Sequence, residues 1–209
     1  MSDARSEKAA LRRTLEEAWD ATAPDRRARE TEVLVGLLSA WVARQGFEVV
    51  LATLPLTREP DLTPFFAAWL ATGGRLALSR TLPGRTMDFG LVSNVEGPWR
   101  VRPFGMKEPL ASVPAWHAGP RTLLLVPGVG FAPSGGGAAR LGHGAGYFDR
   151  WLAQFGAHVT SLGYGLSSQI VDWLPEEAHD QNLDGWLDPH GFHGRFELSA
   201  SPGGSKRRT

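Results

Sequence analysis

Thr122-Leu123-Leu124-Leu125-Val126-Pro127-Gly128-Val129-Gly130-Phe131, then Arg140-Leu141-Gly142-His143-Gly144-Ala145-Gly146-Tyr147-Phe148-Asp149-Arg150, then Trp151-Leu152-Ala153-Gln154-Phe155, is the stretch that decides the fold. Its first part is a short, fully apolar run closed by proline, as expected of a strand buried on both faces. Its last part is amphipathic at helical spacing. A strand leading through glycines into a helix is a unit of an α/β layered fold with a mainly parallel sheet, whose ligands sit beyond the C-terminal ends of the strands. The glycines occupy that kind of position. The intervening residues 134–139, Ser-Gly-Gly-Gly-Ala-Ala, read as a flexible surface loop.

Working outward, Leu11, Leu15, Ala18 and Trp19 predict a helix over 6–23, and Leu34, Leu37, Leu38 and Trp41 a second over 26–44, stopped by Gln45-Gly46. Residues 47–54 read as a strand bounded by Pro55. Thr63-Pro64 looks like a helix N-cap followed by proline at the first helical position, leading 65–72 into Gly73-Gly74. Strands are expected over 75–81 and 157–163, and an antiparallel pair from 87–93 and 99–101 across Glu96-Gly97. The whole is expected to form a single domain over residues 1–198, with a disordered tail over 199–209.

Composition excludes several classes. With no cysteine among 209 residues, disulfide scaffolds, thiolate zinc sites and cysteine nucleophiles are ruled out, and a cytoplasmic location is the default. Lys plus Arg equals Asp plus Glu at 22 each, so no net field favours nucleic acid or an anionic membrane. No apolar run has the length of a membrane span. His190 and His193 have zinc-like spacing but no third ligand nearby, and the eight Trp residues read as core.

Glycines let backbone N–H groups approach an anion, and a helix starting just after them adds a favourable dipole, so the central stretch suggests phosphate binding. Neither a Walker A pattern nor a dinucleotide fingerprint is present. The same stretch, Val-Pro-Gly-x-x-Phe and then Arg-Leu-Gly-x-Gly-x-Gly-Tyr-Phe-Asp-Arg, resembles the signature of the 5-formyltetrahydrofolate cyclo-ligase (5,10-methenyltetrahydrofolate synthetase) family. Weaker likenesses follow in order: Lys8-x-x-Leu11-Arg12, Glu59-Pro60-Asp61, Gly105-Met106-Lys107-Glu108-Pro109, and Pro175-x-Glu177-x-His179-Asp180.

The resemblance implies a three-layer α/β sandwich similar to ribose-5-phosphate isomerase and the CoA transferases, acting as a monomer on ATP and a reduced formyl-folate. It also implies ATP-dependent cyclisation to 5,10-methenyltetrahydrofolate with Mg²⁺. By resemblance, Lys8, Arg12, Arg140, Leu141, Gly142, His143, Gly144, Ala145, Gly146 and Tyr147 bind ATP, with Arg140 and Tyr147 catalytic. Glu59, Phe104 and Tyr147 would meet the folate, and Asp149 and Asp180 the metal. Independently of the family, the four-residue spacing of Lys8 and Arg12 puts both on one helical face. Ala132 stands where the family has Asp, and residues 135–139 lengthen the loop that follows. That departure keeps a diverged, non-catalytic folate- or nucleotide-binding relative open as the alternative. It also carries the expectation that the loop is ordered only around a ligand, and that shortening it while restoring Asp at 132 would tighten ATP binding.

Overall fold

The computed structural model describes residues 4–116, 119 and 121–196; Phe104 is described by its backbone alone, and the expected tail over 199–209 lies outside the described residues. In chain order the elements are α1 (Ala4–Ala21), α2 (Pro24–Gln45), β1 (Val49–Ala52), α3 (Thr63–Ala71), β2 (Arg75–Leu82), β3 (Thr86–Val92), β4 (Trp99–Val101) and β5 (Lys107–Pro109). There follow β6 (Thr122–Pro127), β7 (Gly130–Ser134), β8 (Gly137–Leu141), α4 (Tyr147–Phe155), β9 (Thr160–Tyr164), β10 (Gly185–Asp188) and β11 (Gly191–Gly194).

Seven strands form the central sheet in the order β11-β10-β9-β6-β1-β2-β3. The inner five run parallel, and the two outermost are antiparallel to their neighbours. Alternate residues of β1 face opposite layers, as the two-residue period of a strand requires. Val50 and Ala52 pack with Leu34, Leu38 and Trp41 of α2 and Phe65 and Phe66 of α3. Val49 and Leu51 pack the other way, in one cluster with Phe131, Ala138 and the α4 residues Trp151 and Leu152. The sandwich therefore has three layers, as expected. From β1 the chain passes through α3 to β2 on one side; from β6 it passes through β7, β8 and α4 to β9 on the other. Adjacent strands β1 and β6 thus send their connections apart, which opens a crevice at their C-terminal ends.

Several expectations need correction. Residues 134–139 are no loose loop: β7 and β8 form a hairpin, paired from Gly130↔Leu141 to Ser134↔Gly137, closed by Gly135-Gly136 with φ of 55° and 79°. Both turn residues adopt the left-handed conformation that a two-residue hairpin turn demands and glycine supplies. Ala132 is 0 % exposed and packs with Leu15, Val129, Ala139, Leu141 and Leu174, so the position faces apolar core. Shortening the segment over 136–139 would delete most of β8. Strands β3 and β4 do not pair with each other: β3 pairs with β2 and β4 with β5. The other edge of β3 is occupied by residues 114–116, with Leu91 N–H donating to Pro114 O and Trp116 N–H to Phe89 O. The N-cap of α3 is Leu62 and not Thr63; the Asp61 carboxylate accepts from Thr63 N–H at 2.8 Å. Of the Trp residues, Trp19, Trp41, Trp151 and Trp186 are buried, but Trp173 is exposed. His193 stacks on Trp186 and lies 2.9 Å from Asp188 Oδ2, a structural pairing.

Candidate active site

The segments leaving β1 and β6 bring Glu59 and residues 142–146 together, and α1 is tied to the latter through Arg12. Lys8 and Arg12 lie one turn apart on α1, and neither is a solvated surface charge. Lys8 is only 6 % exposed; its Nζ donates to Glu177 Oε2 at 2.7 Å and to Asp180 Oδ2 at 2.5 Å. Burial opposes the charge on Lys8, but the hydrogen bonds to Asp180 and Glu177 outweigh it and raise its pKa above the ordinary value. Arg12 Nε donates to Gly142 O at 2.7 Å. Burial draws the Arg12 pKa below its ordinary value, with Asp180 and the nearby glutamates opposing. Both cations therefore join the N-terminal helix to the segments that carry the motifs.

Arg140, on β8, has a side chain only 5 % exposed; its Nη2 donates to Asp149 Oδ2 at 3.1 Å. Its Nη1 donates to Pro127 O at 3.3 Å, and its guanidinium lies 5.4 Å from the centre of the Phe148 ring. Among the described residues, buried Arg140 Nε has no hydrogen-bond partner. The glycine after Leu141 has a steric cause: a Cβ on Gly142 would sit 2.5 Å from Arg140 Nη1. Leu141 itself is a core residue, so only its backbone is at the loop. Residues 142–146 belong to neither helix nor sheet, and their N–H groups enter no ladder. They run into the N-terminus of α4, whose first residue is Tyr147 and whose first turn carries Asp149. A glycine-rich loop running directly into a helix N-terminus is a favourable arrangement for a phosphate.

Glu59, beyond β1, is buried, with Oε2 accepting from Leu56 N–H at 2.9 Å and Oε1 3.1 Å from His143 Nε2. Burial, then the neighbouring Glu59 charge, push the Tyr164 phenol at the end of β9 well above its usual pKa. Gln181 N–H, next in sequence to Asp180, reaches Asp149 Oδ1 at 3.4 Å, so the two expected metal carboxylates are on neighbouring segments. The compact group of possible metal ligands is Glu177, His179 and Asp180, with ligand atoms within 4.8 Å of one another; Asp149 is not in it. Two contributors escape the sequence reading. Glu177 shares Lys8 with Asp180, and Arg150 donates to Ala145 O and to Arg85 O, each at 2.8 Å, tying the loop to the segment after β2. Both stand within the quoted motifs, which is the signal that could have singled them out. The Phe104 side chain lies outside the described residues.

The model of the 5-formyltetrahydrofolate cyclo-ligase family matches residues 4–189. The chain is similar to a 5-formyltetrahydrofolate cyclo-ligase of Mycolicibacterium smegmatis, 29 % identical over 167 residues that cover 78 % of this chain and 84 % of that protein. It is also 29 % identical over 158 residues to a probable 5-formyltetrahydrofolate cyclo-ligase of Caenorhabditis elegans, covering 70 % of this chain and 69 % of that one. Among solved structures, the 5,10-methenyltetrahydrofolate synthetase of Aquifex aeolicus superposes with a TM-score of 0.73 at 25 % identity, over 96 % of this chain and 99 % of that one. With a match over nearly all of the described residues, and the motif residues gathered at one crevice, the chain belongs to the 5-formyltetrahydrofolate cyclo-ligase family.

Proposed function

We propose that this protein catalyses the ATP-dependent cyclisation of 5-formyltetrahydrofolate to 5,10-methenyltetrahydrofolate, releasing ADP and phosphate. The observation that carries the reading is the meeting of Lys8, Arg12, Arg140, the 142–146 loop and the α4 N-terminus at the crevice beside buried Glu59. A formamide oxygen is a poor leaving group. Transfer of the γ-phosphoryl forms a phosphorus–oxygen bond to that oxygen as the bond to ADP breaks. N10 then attacks the formyl carbon and loses its proton, and the carbon–oxygen bond breaks to release phosphate and the methenyl cation. Such a reaction asks the protein for positioning and charge neutralisation. Arg140 and the loop N–H groups of Leu141, Gly142, His143, Gly144, Ala145 and Gly146 would hold the triphosphate. Tyr147 at the helix start would meet both ligands, and Glu59 would accept the donors of the pterin edge.

The donor set fits magnesium, which takes oxygen ligands, one or two carboxylates among them. Asp149 and Asp180 are partly buried carboxylates, each already neutralised by a protein cation, Arg140 and Lys8. They would hold the ion, which when bound screens the phosphate charge. In this reading the protein works as a cytoplasmic monomer without nucleic-acid or membrane partners; its balanced charge supports the latter. Among the described residues no helix is long and apolar enough to cross a membrane. The non-catalytic alternative rests on Ala132, which lies in the apolar cluster and not among the crevice side chains described above. Purified protein given 5-formyltetrahydrofolate, ATP and Mg²⁺ is expected to generate the methenyl chromophore, and chelation to stop it. Binding of both ligands without product at high enzyme concentration would select the alternative.

A further inference from the structure

We infer that His143 is a positioning residue that couples the phosphate loop to Glu59, the protein carboxylate proposed to meet the folate, and occupies it until either ligand displaces it. The inference rests on the proposed function, in which residues 142–146 meet phosphate and Glu59 meets the pterin edge. The Glu59 side chain is only 1 % exposed, while His143 remains 42 % exposed on the loop above it. One carboxylate oxygen is committed to its own turn through Leu56 N–H. Among the described residues the other, Oε1, has His143 Nε2 as its hydrogen-bond partner. A buried carboxylate oxygen left unpaired is costly, so this contact holds the loop down while the crevice contains no folate.

The rest of the loop is fastened through carbonyls, Gly142 O to Arg12 and Ala145 O to Arg150, contacts that do not use its N–H groups. The His143–Glu59 contact is the one that reaches the folate side. A pterin donor arriving at Oε1 takes the place of His143. A triphosphate drawing the loop around itself moves the same imidazole away. Whichever ligand binds first must break the contact, and the second binds a site already released. Linkage makes the effect reciprocal: each ligand tightens the other by the same factor. For a single half-exposed hydrogen bond to a carboxylate that factor is about five- to tenfold.

The test is calorimetric titration of the full chain with 5-formyltetrahydrofolate and a non-hydrolysable ATP analogue with Mg²⁺, each alone and in the presence of the other. The wild-type protein is expected to show mutual tightening of about five- to tenfold. His143→Ala, on an exposed loop where the fold is preserved, should bind each ligand alone more tightly by that factor and show no coupling. His143→Gln, which keeps a side-chain N–H donor, should retain it. If His143→Ala binds folate more weakly, or keeps the coupling, the inference is overturned. Wild-type binding of both ligands without coupling overturns it while leaving the proposed function standing; wild-type binding of neither overturns both.

Discussion

Placing aspartate at position 132, where the sequence departs from its family, tests whether the hairpin faces core or crevice. Ala132 is 0 % exposed, with Leu15, Val129, Ala139, Leu141 and Leu174 in its cluster. Ala132→Asp adds three heavy atoms to a packed space, at about 1–3 kcal/mol, and buries a polar group without a partner, at about 1–3 kcal/mol more. A total of about 2–6 kcal/mol is a large part of the roughly 5–15 kcal/mol typical of a domain. At 2–4 °C per kcal/mol for a chain of this size, the melting temperature should fall by on the order of 10 °C at neutral pH. Burial would raise the new carboxyl's pKa in the folded state. The folded protein then binds the proton more tightly than the unfolded chain, so the stability deficit is smallest near pH 4. It grows as pH rises through the folded-state value and is complete above it. Thermal melts of both proteins across this range, followed by circular dichroism, read the effect. An unchanged melting temperature at neutral pH together with tighter ATP binding would refute the reasoning, because the side chain at position 132 would then be facing the crevice and not the apolar cluster.

Lys8→Ala removes the cation between Glu177 and Asp180, leaves two partly buried carboxylates without it, and should cost about 1–3 kcal/mol of stability as well as raising the KM for ATP, both readable on purified protein. Because the Lys8 pKa is raised above 10.5, its contribution is complete below that value and lost as pH rises through the folded-state pKa. The gap in melting temperature should therefore be constant from pH 7 to about 9 and close only in strongly alkaline solution. Gly142→Ala drives a methyl group against Arg140 and is expected to lower kcat/KM by about tenfold or more through misplacement of the guanidinium, with little change in melting temperature. Replacing Gly135 and Gly136 together with alanine forces two left-handed residues at about 1–2 kcal/mol each, lowering the melting temperature while the KM for ATP is unchanged.

Local pattern carried much of the architecture. The apolar run ending at Pro127 reads as a doubly buried strand, and it is β6 in the middle of the sheet. The helical stripes of Leu11 with Leu15, and of Leu34 with Leu38 and Trp41, place α1 and α2 within a few residues of their observed ends. The spacing of Lys8 and Arg12 correctly puts them on one face, because helical geometry is the same wherever the helix lies. The central motif likewise holds both Arg140 and Asp149, which pair with each other in the structure. The β7–β8 hairpin was illegible for a physical reason. Ala, Gly and Ser have weak strand preference, and this ribbon is held by tertiary partners: Ala138 and Leu183 exchange backbone hydrogen bonds, and Ala132 and Ala139 share a cluster with Leu15 of α1.

What each site residue touches was decided by tertiary structure alone. Glu59 and His143 are 84 residues apart, and Lys8 and Asp180 are 172 apart. No periodicity spans such separations. The order β9-β6-β1-β2 brings the segments after β1 and β6 side by side although β6 follows β1 by four intervening strands in the chain and more than sixty residues. Residue identity and spacing therefore determined which groups the protein owns and which face of its own element each one takes. Only the packing of layers determined that Lys8 is buried against two carboxylates and that the histidine of the 142–146 loop rests on Glu59, because contact between distant segments is set by sheet order and by the burial of both faces of the sheet.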